Sequence, residues 1–289
     1  MGLQAMKGGA FLLRSGKTGL ALTLILALAA CSGARERNRE IALEELDAQP
    51  IYQQAEAQLE AGNPDRAAEL FIEVERLHPY SEWASRALIM ATMAYHQDRD
   101  YENSRASAQR YLDFYPGTED AAYAQYLLAL SYYDQIDQVG RDQGITFQAL
   151  QALRVVIEQY PDSEYAASAI LKFDLAFDHL AGKEMEIGRY YLRRQNYAAA
   201  INRFRVVVEE FQTTSHTPEA LLRLVESYLA LGLTNEAQTA GAILGYNFQA
   251  SPFYDDAFRL LTDQDLAPEA AGESWLREIW QQTVRGAWL

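Results

Sequence analysis

The chain has 289 residues, 49% of them hydrophobic and 22% charged, the composition of a folded globular protein rather than a disordered or polytopic membrane chain. Its 40 acidic and 25 basic residues leave a formal charge of -15, and no basic stripe relieves it, so no nucleic-acid partner is expected. A single cysteine excludes an internal disulfide, and four scattered histidines leave little material for a transition-metal site.

Residues 1–19 carry Lys7, Arg14 and Lys17 and no acid, and residues 20–30, LALTLILALAA, are uninterruptedly apolar. That run is shorter than the roughly 20 residues a membrane-spanning helix needs. A basic stretch, a short apolar stretch and small residues before a cut describe a secretory signal over 1–30. The lone cysteine follows at once, in Leu28-Ala29-Ala30-Cys31, and this resembles the lipobox of bacterial lipoproteins. The resemblance implies cleavage before Cys31 and lipidation there, which anchors the chain without spanning the bilayer. Ser32, not Asp, follows the cysteine; by resemblance to enterobacterial sorting, this implies the outer membrane. Residues 31–46 read as the lipidated cysteine and a flexible charged tether.

Three prolines then mark helix ends, in His78-Pro79, Tyr115-Pro116 and Tyr160-Pro161. With Pro79 at position 32 of a 34-residue helix–turn–helix unit, position 1 is Ala48, Ala55 and Ala67 fall at positions 8 and 20, and Phe71 at 24. Such a unit resembles the tetratricopeptide repeat. Steps of 37 residues place further units at Ser85 and Ala122, and a second pair at Ala181 and Pro218. Small residues at 8 and 20 let two helices approach, bulky ones at 11 and 24 fill the space beside them, and proline stops the second helix. The expected fold is an all-α tetratricopeptide-repeat solenoid of about five helical hairpins. Repeats 1–3 occupy 47–164 with an inserted loop at 134–147. Repeats 4–5 occupy 165–258 with an extra helix over 165–180. A tail at 259–289 holds Trp275, Trp280 and Trp288, as a cap for the last open face or as a partner-binding element.

No nucleophile elbow, H-E-x-x-H or phosphate-binding loop is present, so no enzyme is expected. In this repeat class the first helix of each hairpin lines a concave groove. Its positions here are Tyr52 and Leu59, then Ile89, Met93 and His96, then Tyr123, Tyr126, Leu130 and Tyr133. They make either an aromatic groove for an extended peptide or ordinary core. Arg189, Arg193, Arg194, Arg203 and Arg205 form a basic cluster on the fourth hairpin. They serve either partner docking or neutralisation of Glu184, Glu186, Glu209 and Glu210.

Lipobox, tether and repeats together resemble BamD, the lipoprotein family of the bacterial outer-membrane β-barrel assembly machinery, over residues 25–250. The resemblance rests on Ala61-Gly62-Asn63, on Val155–Tyr165 and on Gly188–Phe211 with its Tyr190-Tyr191 and Asn202-Arg203 pairs. It implies a lipid-anchored scaffold on the periplasmic face of the outer membrane. Arg203 would dock on the periplasmic domains of the barrel-forming subunit. The amino-terminal repeats would receive unfolded outer-membrane proteins, and other assembly lipoproteins would be further partners. No cofactor is implied beyond the covalent lipid. The rival reading is a periplasmic repeat lipoprotein coordinating cell-wall synthesis or division.

Overall fold

The computed structural model describes residues 43–136 and 143–288. The expected signal peptide, Cys31 and most of the tether lie outside the described residues. Among those described, twelve α-helices and no strands are found. We number them α1 (Ala48–Glu60), α2 (Pro64–Leu77), α3 (Glu82–Gln97), α4 (Tyr101–Phe114), α5 (Ala121–Tyr133), α6 (Gly144–Gln159), α7 (Ala166–Arg193), α8 (Tyr197–Glu210), α9 (Thr217–Ala230), α10 (Thr234–Asn247), α11 (Pro252–Thr262) and α12 (Trp275–Val284). The chain forms two compact units, divided in sequence between Met90 and Ala91. In the first, α1 packs on α2. In the second, each helix from α4 to α10 packs on the next, and α9 and α10 also carry α11 and α12. This is the consecutive-hairpin order of a tetratricopeptide-type solenoid.

Burial follows the repeat register. Ala55, Ala67, Thr92, Ser104, Ala129, Ala149, Ala200, Val225 and Ala237, the residues at positions 8 and 20, are all 0% exposed. The tenth such position, the eighth of the fourth hairpin, is Gly188 on α7, where a Cβ would stand only 2.8 Å from Cδ1 of Phe204 on α8. Glycine is required there by close approach, not by its backbone angles. In the second hairpin the polar pair is satisfied internally, Ser104 Oγ donating to the Thr92 carbonyl at 3.0 Å, so its burial leaves no stranded hydroxyl.

The helix stops correct one sequence argument. His78, Tyr115 and Tyr160 precede prolines and adopt φ/ψ of -131/56, -129/45 and -127/49, as pre-proline sterics demand. Phe211 and Phe248 precede Gln212 and Gln249, yet adopt -126/32 and -132/41. Each of the five donates its N–H to the carbonyl four residues back. Proline reinforces this stop, and the packed geometry reproduces it where proline is missing. Turns inside the hairpins use a left-handed residue: Gly62 at φ 78 and Gly232 at φ 71, but Arg99 at φ 65 and Gln195 at φ 61. The two non-glycines cost about 1–2 kcal/mol each.

Several expected boundaries move. The stretch before α1 is not a free tether at its end: Leu43 is 7% exposed, and a His78 ring nitrogen lies 2.9 Å from the Leu46 carbonyl. The insert expected over 134–147 is helical from Gly144, because Thr146 and Ala149 are buried; residues 137–142 lie outside the described set. Across 164, where the third repeat gives way to the next helix, Ala152, Leu153 and Val156 share a core with Ala169. The extra helix of 165–180 runs on into the first helix of the fourth hairpin, as the sequence reading expects, making one helix of 28 residues, α7. Residue 258 is not an end either, because α11 runs through it to bury Leu261.

The tail folds back on the last hairpins. Thr239 Oγ1 donates to the Ala271 carbonyl at 2.9 Å and Gln238 Nε2 to that of Ala267 at 2.9 Å. Trp275 Nε1 donates to the Tyr228 hydroxyl at 3.0 Å, and Trp288, 3% exposed, donates to the Val208 carbonyl at 3.3 Å.

Replacing Gly188 by Ala sets two effects against each other. Helix propensity alone favours Ala by roughly 1 kcal/mol; overpacking against Phe204 costs about 1–3 kcal/mol. The expected outcome is net destabilisation in urea unfolding, with Gly117→Ala, where a Cβ meets nothing, as the neutral control.

Candidate functional site

The expected groove separates into core and surface. Tyr52 is 8% exposed, wedged between Phe71 at 5.1 Å and Trp83 at 4.9 Å between ring centroids. Ile89 is 7% exposed. Both are core residues; for Tyr52 the cover comes from the second helix of its own hairpin and the start of the helix that follows. Leu59 and Met93 are half-buried. His96, also half-buried, sets its Nε2 3.1 Å from Asp134 Oδ2 and its ring 5.5 Å from Tyr101.

The remaining groove residues converge on a surface that the register did not fully anticipate. Tyr123 and Tyr126, one turn apart on α5, both stack on Tyr165, at 5.1 and 5.2 Å. Tyr126 hydrogen-bonds Ser168 of α7 at 2.7 Å. The Lys172 ammonium lies over Tyr126 at 5.7 Å and over Tyr133 at 5.8 Å, and its Nζ donates to Ser168 Oγ at 3.0 Å. The result is a half-buried aromatic wall with a cation set into it, able to hold apolar and aromatic side chains while presenting one positive charge. Tyr165 and Lys172 were not marked as site residues. Tyr165 stands outside the repeat positions, just before α7, and Lys172 is one lysine on an otherwise ordinary helix, so neither carries a periodic signal. Burial, then the Glu164 carboxylate that hydrogen-bonds it, push the Tyr165 phenol up to about 12.

The arginine cluster is largely engaged within the protein. Arg189 on α7 makes a two-point ion pair with Glu219 on α9, its Nε donating at 2.9 Å. Arg223 adds a third bond to Glu219 at 3.3 Å and takes Glu226 at 2.7 Å. Burial works to raise the Glu219 carboxyl, but the Arg189 and Arg223 guanidiniums outweigh it and hold the acid below its ordinary value. Arg203 pairs with Glu184 at 3.1 Å and keeps 42% of its side chain exposed. Arg205 pairs with Glu209 at 2.8 Å and covers Trp275 at 4.8 Å. Of the four carboxylates named from sequence, Glu184 and Glu209 thus meet arginines, while Glu219 was missed because it lies 30 residues from its partner. Arg193 and Arg194 remain exposed at the end of α7, where Arg194 lies over Tyr190 at 4.5 Å. Tyr190 is itself 44% exposed. No group of three or more metal-ligating side chains occurs among the described residues.

Fold and surfaces together define a protein of stacked helical hairpins. A family profile described as "Outer membrane lipoprotein", YfiO, matches residues 44–243. The outer membrane protein assembly factor BamD of Caulobacter vibrioides is 47% identical over 248 residues, covering 86% of this chain and 81% of its own length. BamD of Rickettsia prowazekii is 39% identical over 240 residues, covering 83% and 94%, and that of Neisseria meningitidis serogroup A 29% identical over 252 residues, covering 83% and 94%. The chain belongs to the BamD (YfiO) family of outer-membrane lipoproteins, non-enzymatic factors of outer-membrane protein assembly.

The raised Tyr165 phenol fixes a sign. A folded-state value above the unfolded value near 10 means that the fold favours the protonated phenol, so this contribution is complete below pH 10 and is lost between pH 10 and about 12. Tyr165→Phe is expected to flatten that part of the stability-versus-pH curve, measured by urea unfolding at each pH.

Proposed function

We propose that this lipoprotein is anchored through lipidated Cys31 on the periplasmic face of the outer membrane and acts there as a docking scaffold for β-barrel assembly. The α7–α8 end, with Arg203 and the exposed Arg193, Arg194 and Tyr190, binds acidic side chains on the periplasmic domains of the barrel-forming subunit. The aromatic wall of Tyr123, Tyr126, Tyr133 and Tyr165, with Lys172, receives extended segments of unfolded outer-membrane proteins. The other assembly lipoproteins dock on the same scaffold.

The observation that carries the docking assignment is the contrast within the cluster. Arg189 and Arg223 are committed to Glu219 inside the fold, whereas Arg193 and Arg194 are exposed and Arg203 spends only part of its guanidinium on Glu184. Exposed arginines beside a tyrosine are the residue types that carry binding energy at interfaces. The substrate assignment is supported by a surface whose stacked rings favour apolar side chains without demanding one sequence.

Binding of the purified protein to the immobilised periplasmic domains of the barrel-forming subunit tests the docking face. Arg203→Glu, and separately Arg193→Glu with Arg194→Glu, are each expected to weaken binding by about tenfold or more, with thermal melting little changed. Retained affinity in both variants at physiological salt would move the docking surface elsewhere.

A further inference from the structure

One surface lies apart from the docking end and meets the aromatic wall only at Tyr133. Along the first half of α7, Ile170, Leu171 and Leu175 are 47%, 60% and 53% exposed, an apolar patch of a kind that rarely lacks a purpose on a folded chain. Leu171, Leu175 and His179 follow at four-residue spacing and so form a ridge along the helix. A cavity opens on each side of that ridge, and Leu175 lines both. One, of about 410 Å³, lies between α7 and the loop 213–215, over Leu171 and Phe177. The other, of about 260 Å³, lies between α7 and the end of α5, over Tyr133 and Ile136.

The polar rim has one sign. Asp174 and Asp178 border the larger cavity, and neither cavity is lined by Lys or Arg. Asp178 is locked in place: its Oδ1 accepts from the Ser215 N–H at 2.9 Å and hydroxyl at 2.7 Å, and His216 Nε2 lies 3.4 Å from its Oδ2. Asp174 is exposed, and no basic side chain among the described residues pairs with it. The smaller cavity is lined by Tyr133, Ile136, Leu175, Ala176 and His179, with no charged side chain among them apart from the imidazole.

We infer that the α7 ridge is a docking site for an amphipathic, basic helical segment of another protein. Two bulky apolar side chains a turn apart would straddle Leu175, one entering each cavity, in the manner of a helix laid in a groove. A Lys or Arg beside them would meet Asp174. A second copy of this chain is disfavoured by its chemistry: a two-fold contact would set Asp174 and Asp178 against themselves, in a chain already at -15.

Placing a photo-crosslinking p-benzoyl-phenylalanine at Leu175 in the full-length lipidated protein, in its own membranes, tests this. The expected adduct maps, by mass spectrometry of the joined peptides, to a different protein. Its segment carries two bulky apolar residues at a three- or four-residue spacing and a Lys or Arg within one turn. Asp174→Lys in the same background is expected to reduce adduct yield at least fivefold, while the melting temperature of the purified variant stays unchanged. The inference is overturned by any of these results: no adduct, an adduct to a second copy or to residues 31–42 of this chain, a mapped segment without a basic residue, or a yield indifferent to Asp174→Lys.

Discussion

Close approach of two helices at a small residue is the constraint from which the rest of this structure follows. Where Gly188 lets α7 settle against the Phe204 ring, and where Ala55 and Ala67 are wholly covered in the first hairpin, helix meets helix with no side chain between. Such hairpins spend most of their apolar surface on their neighbours. What the described helices keep for partners is presented outward, as aromatic rings, guanidiniums and carboxylates.

How much of this was legible in sequence depended on whether the signal was local. Small residues at fixed offsets, and the aromatic beside them, repeat because each hairpin solves the same packing problem, so five hairpins could be read from spacing alone. Left-handed turns at Arg99 and Gln195 could not, since only the equivalent Gly62 and Gly232 advertise that backbone. The helix stops at Phe211 and Phe248 fall where the repeat register closes each hairpin, at Gln212 and Gln249; there packing holds a conformation that proline marks elsewhere. For Tyr52 and Ile89 the register gives a helical face, but a face is not an exposure. Tyr52 is covered by Phe71 and Trp83, and pattern alone does not say which of two inward faces stays open. Arg189 with Glu219 and Lys172 with Tyr133 join residues far apart in the chain, and no spacing rule reaches that far.

The surfaces differ in how their charge is used. Around α7–α9 the acids and arginines largely neutralise one another, which orients Arg203 and fixes the helices that present it. Such half-exposed pairs contribute little to stability, so their effect is on geometry and on which partner is admitted. The aromatic wall sets a single ammonium among rings, whereas the mid-α7 ridge is apolar with an acidic edge. One helix of 28 residues carries elements of all three, and its rigidity keeps their spacing constant. The carboxy-terminal strap and its tryptophans bind to α8, α9 and α10, so the last hairpins keep a defined surface rather than an open stacking face.

The central claim is that the chain promotes barrel assembly by contact alone, without turnover. The most direct measurement is the folding of an unfolded outer-membrane protein into liposomes that contain the barrel-forming subunit, read by the gel shift between folded and heat-denatured barrel. Adding the lipidated chain is expected to raise the folded yield and to saturate at stoichiometric amounts, with no nucleotide, metal or other cofactor supplied. A yield unchanged by the chain at any ratio, with its binding to the subunit intact, would contradict the account.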